Sequence, residues 1–223
     1  MKVIITGTTG MIGEGVLLEC LASANITAVL SVSRRPTGVS HPKLTEYRVP
    51  DFLSLRVDDL KLMGYDACFY CAGVSSAGMF ADEYKRITYD TTLTFARATH
   101  PNPAMAFVYV SGGGTDSTEK GWQRWARVKG KTENELMKLP FRQAFGFRIG
   151  FVEGTAGQRR VLSAYKYLYW LFPLINKLLP SIINTRHQVA MAMIEAAQNG
   201  YEKNVIHVGD IRVLAERYGQ IAP

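Results

Sequence analysis

The sequence predicts an α/β fold, a doubly wound parallel sheet with helices on both faces. Six short apolar segments typical of buried strands alternate with segments of helical period over residues 1–150. A chain of 223 residues that is 47% hydrophobic and 20% charged is also long enough for a full core. No repeat, linker or shift in composition divides it. We therefore expect a single domain over 1–223, with a ligand-binding core at 1–150 and a small helical, substrate-side region at 151–223.

The first strand runs into a glycine-rich turn. Lys2–Thr6 is a short β-branched run, and a helical pattern begins at Met11. A strand, a glycine turn and a helix N-terminus in this order form the pyrophosphate site of dinucleotide-binding α/β proteins. Gly7 would allow the tight turn, Gly10 would let the backbone approach the phosphates, and Gly13 would let the helix pack closely. The alternative is an ordinary turn with incidental glycines. The dinucleotide contacts predicted here are Gly7, Thr8, Thr9, Gly10, Met11, Ile12 and Gly13.

The residues that follow the second strand indicate whether the cofactor is NAD or NADP. Strand Ala28–Ser33 is followed directly by Arg34 and Arg35. An acid at this position typically holds the ribose hydroxyls of NAD, whereas the 2′-phosphate of NADP calls for arginine. Two arginines and no acid predict NADP, with NAD as second choice, and contacts from Ser33, Arg34 and Arg35. The alternative is two solvated arginines in a turn.

The remaining core strands add two groups of cofactor contacts. A weak third strand at 46–49 leads to Asp51 and Phe52, an acid–apolar pair of the kind that lines adenine pockets. The fourth strand, at 67–71, ends in Cys71, Ala72 and Gly73, where small residues let a ligand approach the backbone, unless this is a plain flexible loop. The pattern also predicts helices over 53–63, 82–98 (capped by Asp82) and 122–139, and strands over 106–111 and 144–149.

The C-terminal third contains an aromatic segment at 165–180. A membrane-spanning helix needs about 20 apolar residues, but Pro173 and the flanking Lys166 and Lys177 interrupt this stretch. We therefore expect no transmembrane segment. The segment is instead either a helical flap over the nicotinamide end of the site or an interfacial segment with weak membrane-surface contact. A helix at Arg186–Asn199, a strand at 205–208 and a helix at 211–218 are predicted to close the chain.

Composition argues against several classes of protein. The net charge of +7 comes without a basic run interleaved with aromatics, so an anionic cofactor explains it and no nucleic acid is expected. Cys68 and Cys71 would point to opposite faces of one strand, which indicates reduced thiols rather than a redox pair. The histidines show no metal-ligand spacing, so no metal is expected. The early first strand leaves no room for a signal peptide, and we expect a cytoplasmic protein.

Four features carry a resemblance to a known family: the Thr6-Gly7-x-x-Gly10-x-x-Gly13 turn, Ala72-Gly73 after strand four, Ser111 after strand five, and Lys129 in the next helix. Over residues 1–150 the chain resembles the atypical and extended short-chain dehydrogenase/reductase superfamily, which includes sugar-nucleotide epimerases. It looks most similar to small members of the Tat-interacting-protein type. The resemblance implies an NAD(P)-binding Rossmann fold with its site at the carboxyl ends of the strands. It also implies catalytic roles for Ser111 and Lys129, with Lys129 holding the nicotinamide ribose, and a homodimer formed by the helices at 82–99 and 122–139.

One catalytic residue of the superfamily is missing. Its tyrosine, four residues before the lysine, is replaced by Trp125, and Thr88 stands where an asparagine is common. An indole N–H donates a hydrogen bond but is no useful acid near neutral pH, whereas general acid catalysis is typically worth about 10²–10⁴-fold. Candidates for a substitute acid are a water molecule, Tyr70, Tyr89 and Tyr109. The structural alternatives are a strand-end turn for Ser111, a surface position for Lys129, and core packing of Trp125 with Trp122.

Two functions follow from these residues. The first is an NADP-dependent oxidoreductase or epimerase-like enzyme acting on an unknown small carbonyl or sugar-nucleotide-like substrate. The second is a non-catalytic NADP(H)-binding module that regulates a protein partner. The intact glycine turn supports both, and Trp125 is the feature that separates them.

Overall fold

A computed structural model describes residues 1–57, 59–153 and 183–221 of the chain. The aromatic segment at 165–180, with its two interpretations, lies outside these residues. The strands in chain order are β1 (Lys2–Thr6), β2 (Ala28–Ser33), β3 (Leu44–Arg48), β4 (Ala67–Tyr70), β5 (Ala106–Val110), β6 (Gln143–Phe147), β7 (Phe151–Glu153), β8 (Ile183–Thr185) and β9 (Val205–Ile206). The α-helices are α1 (Met11–Ala22), α2 (Ala81–Lys85), α3 (Thr91–Ala98), α4 (Arg124–Leu136), α5 (Arg186–Asn199) and α6 (Val208–Ile221).

Seven strands form one parallel sheet in the order β3-β2-β1-β4-β5-β6-β9. The predicted doubly wound α/β fold is therefore confirmed. The chain order reverses between β1 and β4, where Thr6 pairs with Tyr70. In open α/β sheets the crevice outside the strand ends at this reversal is the usual ligand site. A separate two-stranded sheet joins β7 to β8.

Alternate residues of the central strands pack into two hydrophobic layers. On one face, Val3 and Ile5 pack with residues of α1, α5 and α6. On the other, Ile4 and Tyr70 pack with residues of α3 and α4. All four side chains are 1% exposed or less, so both faces are covered, as a parallel sheet requires. This rigid sheet fixes the positions of the loops that leave its carboxyl edge.

Several predicted elements differ from the observed ones. The predicted helix at 53–63 is wrong, because Asp51 and Asp59 cap two short 3₁₀ turns at Phe52–Ser54 and Leu60–Leu62. The predicted helix at 82–98 is split by a π turn at Arg86–Asp90, and Phe80 rather than Asp82 is its N-cap. Helix α4 begins at Arg124, so Trp122 precedes it. The other elements agree with the prediction to within a few residues.

The cysteines lie as expected from strand geometry. Cys68 packs into one hydrophobic layer and Cys71 borders the other, and neither forms a disulfide. Within the described ranges no group of histidine, cysteine and acidic residues could hold a metal ion. No helix in those ranges has the length and apolarity that a bilayer crossing demands.

Candidate functional site

A cleft of about 420 Å³ opens at the carboxyl ends of β1, β2 and β4. Eleven of the residues predicted from the sequence to contact a dinucleotide line it. They are Gly7, Thr9, Gly10, Ser33, Arg34, Arg35, Asp51, Phe52, Cys71, Ala72 and Gly73. The structure therefore brings residues from four separate loops together at the reversal point of the sheet.

The glycine turn is compact enough to exclude side chains at two positions. Gly7 has φ +67°, and a Cβ there would lie 2.6 Å from the Ala72 nitrogen. A Cβ on Gly13 would lie 2.2 Å from the Gly7 carbonyl oxygen. Since real Cβ contacts do not come this close, only glycine permits the helix to start so near the end of β4.

Helix α1 begins at this turn with its N-terminus toward the cleft. Its N-cap is Gly10, which lines the cleft and provides no side-chain hydrogen bond to the helix. Such a helix start presents backbone N–H groups and the positive end of the helix dipole, which together bind phosphate. Thr6 adds rigidity, because its Oγ1 accepts a hydrogen bond from the Ala72 nitrogen at 3.1 Å. The arrangement is suited to a diphosphate.

Two arginines form the far wall of the cleft, after β2. Arg34 and Arg35 are both exposed and line the cleft. In the part of the chain that the structure describes, neither guanidinium has an ion pair or hydrogen bond. Ser33 shapes the turn, since its Oγ donates to the Arg35 carbonyl at 2.6 Å. The cleft thus ends in two positive charges without protein counter-ions, which is what an additional phosphate needs.

Asp51 and Phe52 close the same end of the cleft. The Asp51 carboxylate accepts from the Leu53 nitrogen at 3.0 Å and lies 3.8 Å from Arg86 of the π turn. Phe52 packs against Phe95 with ring centroids 4.9 Å apart. This pairing gives the cleft one apolar wall and one acidic edge, as an adenine site requires.

The other contacts predicted in the glycine turn do not line the cleft, namely Thr8, Met11, Ile12 and Gly13. Thr8 is 2% exposed, and its hydroxyl is 2.8 Å from that of Ser31 inside the protein. Met11 and Ile12 belong with Gly13 to the first turn of α1, and none of the three lines the cleft. Cys71 does line the cleft, and burial raises the pKa of its thiol to about 12.

Ser111 is engaged in a buried ionic network. Its hydroxyl donates to Glu133 Oε1 at 2.5 Å, and the other carboxylate oxygen accepts from Arg148 Nη2 at 2.6 Å. The Glu133 side chain is fully buried, and Arg148 also bonds Ser117. Gly146 makes room, since a Cβ there would lie 2.5 Å from Glu133 Oε1. In this arrangement Ser111 can accept a hydrogen bond from a ligand but has no proton to donate.

Lys129 lies one helical turn before Glu133 on α4. Burial lowers the pKa of its ammonium group, and the charge of Glu133 partly opposes that shift. Its amino group has no hydrogen bond or ion pair within the described residues. A largely buried cation without a direct partner is costly, so a ligand hydroxyl or phosphate would be a favourable addition.

Trp125 packs on the glycine loop that follows Ser111. A Cβ on Gly114 would lie 3.0 Å from the Trp125 ring, and one on Gly112 would lie 3.7 Å from it. Packing with Trp122, the structural alternative, is not observed as a shared core, because Trp122 is 88% exposed. Both tryptophans instead line an open pocket of about 360 Å³ with Ser76, Gln123 and Arg124.

The candidate substitute acids can now be ranked by position. Tyr70 lines the cleft, whereas Tyr109 is buried in the core and Tyr89 lies partly exposed beside Lys85 and Lys131. Burial raises the pKa of all three phenols. A raised pKa makes each of them a weaker acid, so none resembles an activated proton donor.

Sequence reasoning missed the Glu133–Arg148 pair. Two signals for it exist in the sequence. Lys129 and Glu133 have i,i+4 spacing on one helix face, and Arg148 is a charged residue beside an apolar strand segment, where an unpaired charge is rarely buried. Ile87 and Thr91, which line the cleft from the π turn and α3, were also missed, because a split helix is not visible in hydrophobic periodicity.

Solved structures with this architecture include several nucleotide-sugar enzymes. The Bordetella bronchiseptica enzyme WbmF, in complex with NAD+, matches with a TM-score of 0.64 and 19% identity, over 99% of this chain and 78% of that one. The UDP-glucose 4-epimerase of Thermotoga maritima, with UDP-glucose, matches with a TM-score of 0.66 and 14% identity, over 100% and 84%. This chain therefore shares the doubly wound Rossmann fold of these solved structures.

Among curated proteins, the relatives of this chain include proteins named FMP52. Protein FMP52-1, mitochondrial, of Scheffersomyces stipitis is 26% identical over 234 residues, covering 99% of this chain and 100% of that protein. Protein fmp52-1, mitochondrial, of Aspergillus oryzae is 28% identical over 167 residues, covering 72% and 69%. No family model matches the chain. The expectation of a cytoplasmic protein is wrong by this comparison, since relatives similar over most of the chain are named mitochondrial.

Proposed function

We propose that this chain is an NADP(H)-binding oxidoreductase or epimerase-like enzyme that passes hydride between the nicotinamide and a small carbonyl or sugar-nucleotide-like substrate. The observation that carries the proposal is the cleft with a side-chain-free helix N-terminus at one side and, at the other, two arginines that have no counter-ion among the described residues. Structural neighbours with this fold were solved with NAD or NAD+. Arg34 and Arg35 favour the 2′-phosphorylated form, because they supply charge where an NAD site supplies an acid.

Each part of the cofactor has residues that suit it. The turn from Gly7 to Gly13 would hold the diphosphate, Asp51 and Phe52 the adenine, and Lys129 the nicotinamide ribose. When bound, the nicotinamide supplies the hydride donor or acceptor. Ser111 then meets the substrate oxygen as a hydrogen-bond acceptor, because Glu133 already receives its proton. This orientation lets Ser111 accept a hydrogen bond from a hydroxyl of the substrate or of the reduced product, but it offers no donor to a carbonyl oxygen.

A second function is favoured by the same two residues. With Trp125 in the acid position and the Ser111 proton committed to Glu133, the site could hold NADP(H) as a regulatory ligand and carry out no chemistry. Both functions predict cofactor binding, and only the first predicts turnover.

The experiment therefore measures binding and turnover separately. Binding of NADPH, NADH, NADP+ and NAD+ to the purified chain is measured by calorimetry, and hydride transfer is followed over a library of carbonyls and alcohols. Binding with turnover supports the enzyme, and binding without turnover of any compound supports the regulatory module. In Trp125→Tyr, the enzyme should gain turnover by restoration of an acid, whereas a regulatory protein would only lose packing against Gly112 and Gly114.

We also propose that the protein acts in mitochondria, as the names of its relatives suggest. Subcellular fractionation of the native cells, probed with an antibody to the chain, tests this. Recovery in the cytosol alone would contradict it.

A further inference from the structure

Of the described residues proposed to meet the substrate oxygen, none is an efficient proton donor, and the Lys129 ammonium group is assigned to the nicotinamide ribose. Trp125 occupies the position of the superfamily's acid, and the Ser111 proton is held by Glu133 at 2.5 Å. Tyr70 reaches the cleft, but burial raises its pKa. Hydride addition to an ordinary ketone creates an alkoxide, a very strong base, so that reaction depends on an acid at this point.

A conjugated dicarbonyl has a different requirement. When a quinone receives hydride at one of its oxygens, the ring becomes aromatic and the other oxygen becomes a phenolate, whose conjugate acid has a pKa of about 10. Such an oxygen can take its proton from water after the hydride has moved. A site that lost its acid could therefore still reduce a quinone.

The pocket beside the cleft suits a flat ring. Trp122 and Trp125 line it, and Gln123 and Arg124 supply polar groups at its edge. The loop after β4 borders both spaces, because Val74 lines the cofactor cleft and Ser76 lines the aromatic pocket.

Arg124 and Trp122 define the mouth of this pocket. Arg124 fixes the loop after β4 by donating from Nη2 to the Met79 carbonyl at 2.9 Å. Its positive charge also favours an anionic product. Trp122 is 88% exposed, so the face of its ring is open to a planar ligand that enters the pocket.

We propose that the substrate is a planar, conjugated carbonyl acceptor of the quinone class, bound against Trp125 and Trp122. This inference rests on the oxidoreductase function proposed above. The transferring C–H bond of NADPH breaks and the hydride forms an O–H bond at one quinone oxygen, so that NADPH is oxidised to NADP+ and the quinone is reduced by two electrons to the hydroquinone monoanion. Water supplies the second proton, giving the neutral hydroquinone.

The test compares two dicarbonyls of matched carbonyl spacing. Duroquinone is planar and conjugated, and its fully substituted ring resists addition of the Cys71 thiol; cyclohexane-1,4-dione has neither conjugation nor planarity. NADPH oxidation is measured with each, after subtraction of the rate without protein. We expect kcat/KM to be at least about a hundredfold higher for duroquinone, since the missing acid penalises only the saturated dione.

A binding measurement tests the location independently of turnover. Equilibrium dialysis of duroquinone against the protein with NADP+ should show about a five- to tenfold weaker affinity for Trp125→Leu, because the aromatic face is lost. Trp125→Phe should retain most of the affinity. Leu60→Ala, which alters an exposed apolar residue outside this pocket, should leave it unchanged.

Each other result overturns the inference. Equal or better use of cyclohexane-1,4-dione would refute the quinone class while leaving the oxidoreductase proposal intact. NADPH binding without reduction of either compound would refute it and favour the regulatory module. Unchanged duroquinone affinity in Trp125→Leu would refute the assigned pocket. Failure of NADPH itself to bind would instead refute the proposed function.

Discussion

At the scale of single residues, the glycine turn and the arginine pair explain most of the cofactor cleft. Gly7 and Gly13 are needed because the backbone of one element touches that of the next. These two roles could be predicted from the sequence, since the spacing follows from main-chain geometry. Ser111 could not be understood in that way. Its partner Glu133 is 22 residues away in the sequence, and no local sequence pattern predicts such a contact.

The arginine pair leads to a prediction about cofactor choice. Arg34→Ala/Arg35→Ala should raise the Kd for NADPH by about ten- to a hundredfold, because a charge-assisted contact to the 2′-phosphate is worth roughly 1.5–3 kcal/mol. The Kd for NADH should change by less than about twofold. Calorimetric titration of both nucleotides checks this. An equal loss of affinity for the two would show that the arginines do not recognise the 2′-phosphate.

The buried ion pair leads to a prediction about stability. Glu133→Gln leaves Arg148 buried beside a neutral partner, so the free energy of unfolding should fall by about 3 kcal/mol. Glu135→Gln on the same helix is the matched control. Its partner Lys138 is 68% exposed, and the loss should be below about 1 kcal/mol. Urea denaturation of the two variants tests the difference; similar values would mean that the Glu133 network is not stabilising.

Cys71 provides a probe of the cleft itself. Its thiol lines the cleft, but burial raises its pKa to about 12, so little thiolate exists at pH 8. Alkylation by iodoacetamide should be slow at pH 8, accelerate as the pH rises toward 12, and slow further when NADPH is added. Peptide mass mapping identifies the labelled cysteine. Rapid labelling at pH 8 that NADPH does not affect would contradict this placement.

At the scale of elements, the seven strands of the main sheet were predictable, whereas strands β7 and β8 and two of the helices were not. β2 matches its predicted range because a β-branched apolar run ends at a turn of Arg, Pro and Gly. The segment at 53–63 has apolar residues at helical spacing, yet Asp51 and Asp59 accept bonds from nearby backbone nitrogens. These local bonds compete with a continuous helix. Hydrophobic periodicity alone does not indicate that such side-chain bonds to the backbone interrupt the helix.

Helix α5 allows a direct test of local stabilisation. Thr185 Oγ1 accepts from the Gln188 nitrogen at 3.1 Å, and Gln188 Oε1 accepts from the Thr185 nitrogen at 2.9 Å. Thr185→Ala should therefore lower the free energy of unfolding by about 1 kcal/mol. Thr185→Ser keeps the hydroxyl and should stay close to the native protein. If alanine and serine were equally tolerated in thermal unfolding, the capping box would contribute nothing measurable.

At the scale of the whole molecule, sheet order determines where chemistry can occur. The order β3-β2-β1-β4-β5-β6-β9 places the glycine turn, the arginine turn and the loop after β4 around one crevice. Alternation of strands and helices predicted this topology, because right-handed crossovers leave few arrangements. Substrate identity was not predictable in the same way. In the proposal above it depends on Trp122 and Trp125, and the packing of Trp125 beside Gly114 and the pocket that both tryptophans share with Ser76 arise only in the folded chain.

The central claim is that a 2′-phosphorylated dinucleotide lies against the N-terminus of α1, between the glycine turn and the arginine pair. Thermal unfolding of the purified protein with increasing NADPH or NADH measures this most directly. A ligand at 100 times its Kd stabilises the folded state by about 2.7 kcal/mol. We expect the melting temperature to rise with both nucleotides, and at lower concentrations of NADPH than of NADH. A melting temperature unaffected by millimolar concentrations of either would contradict it.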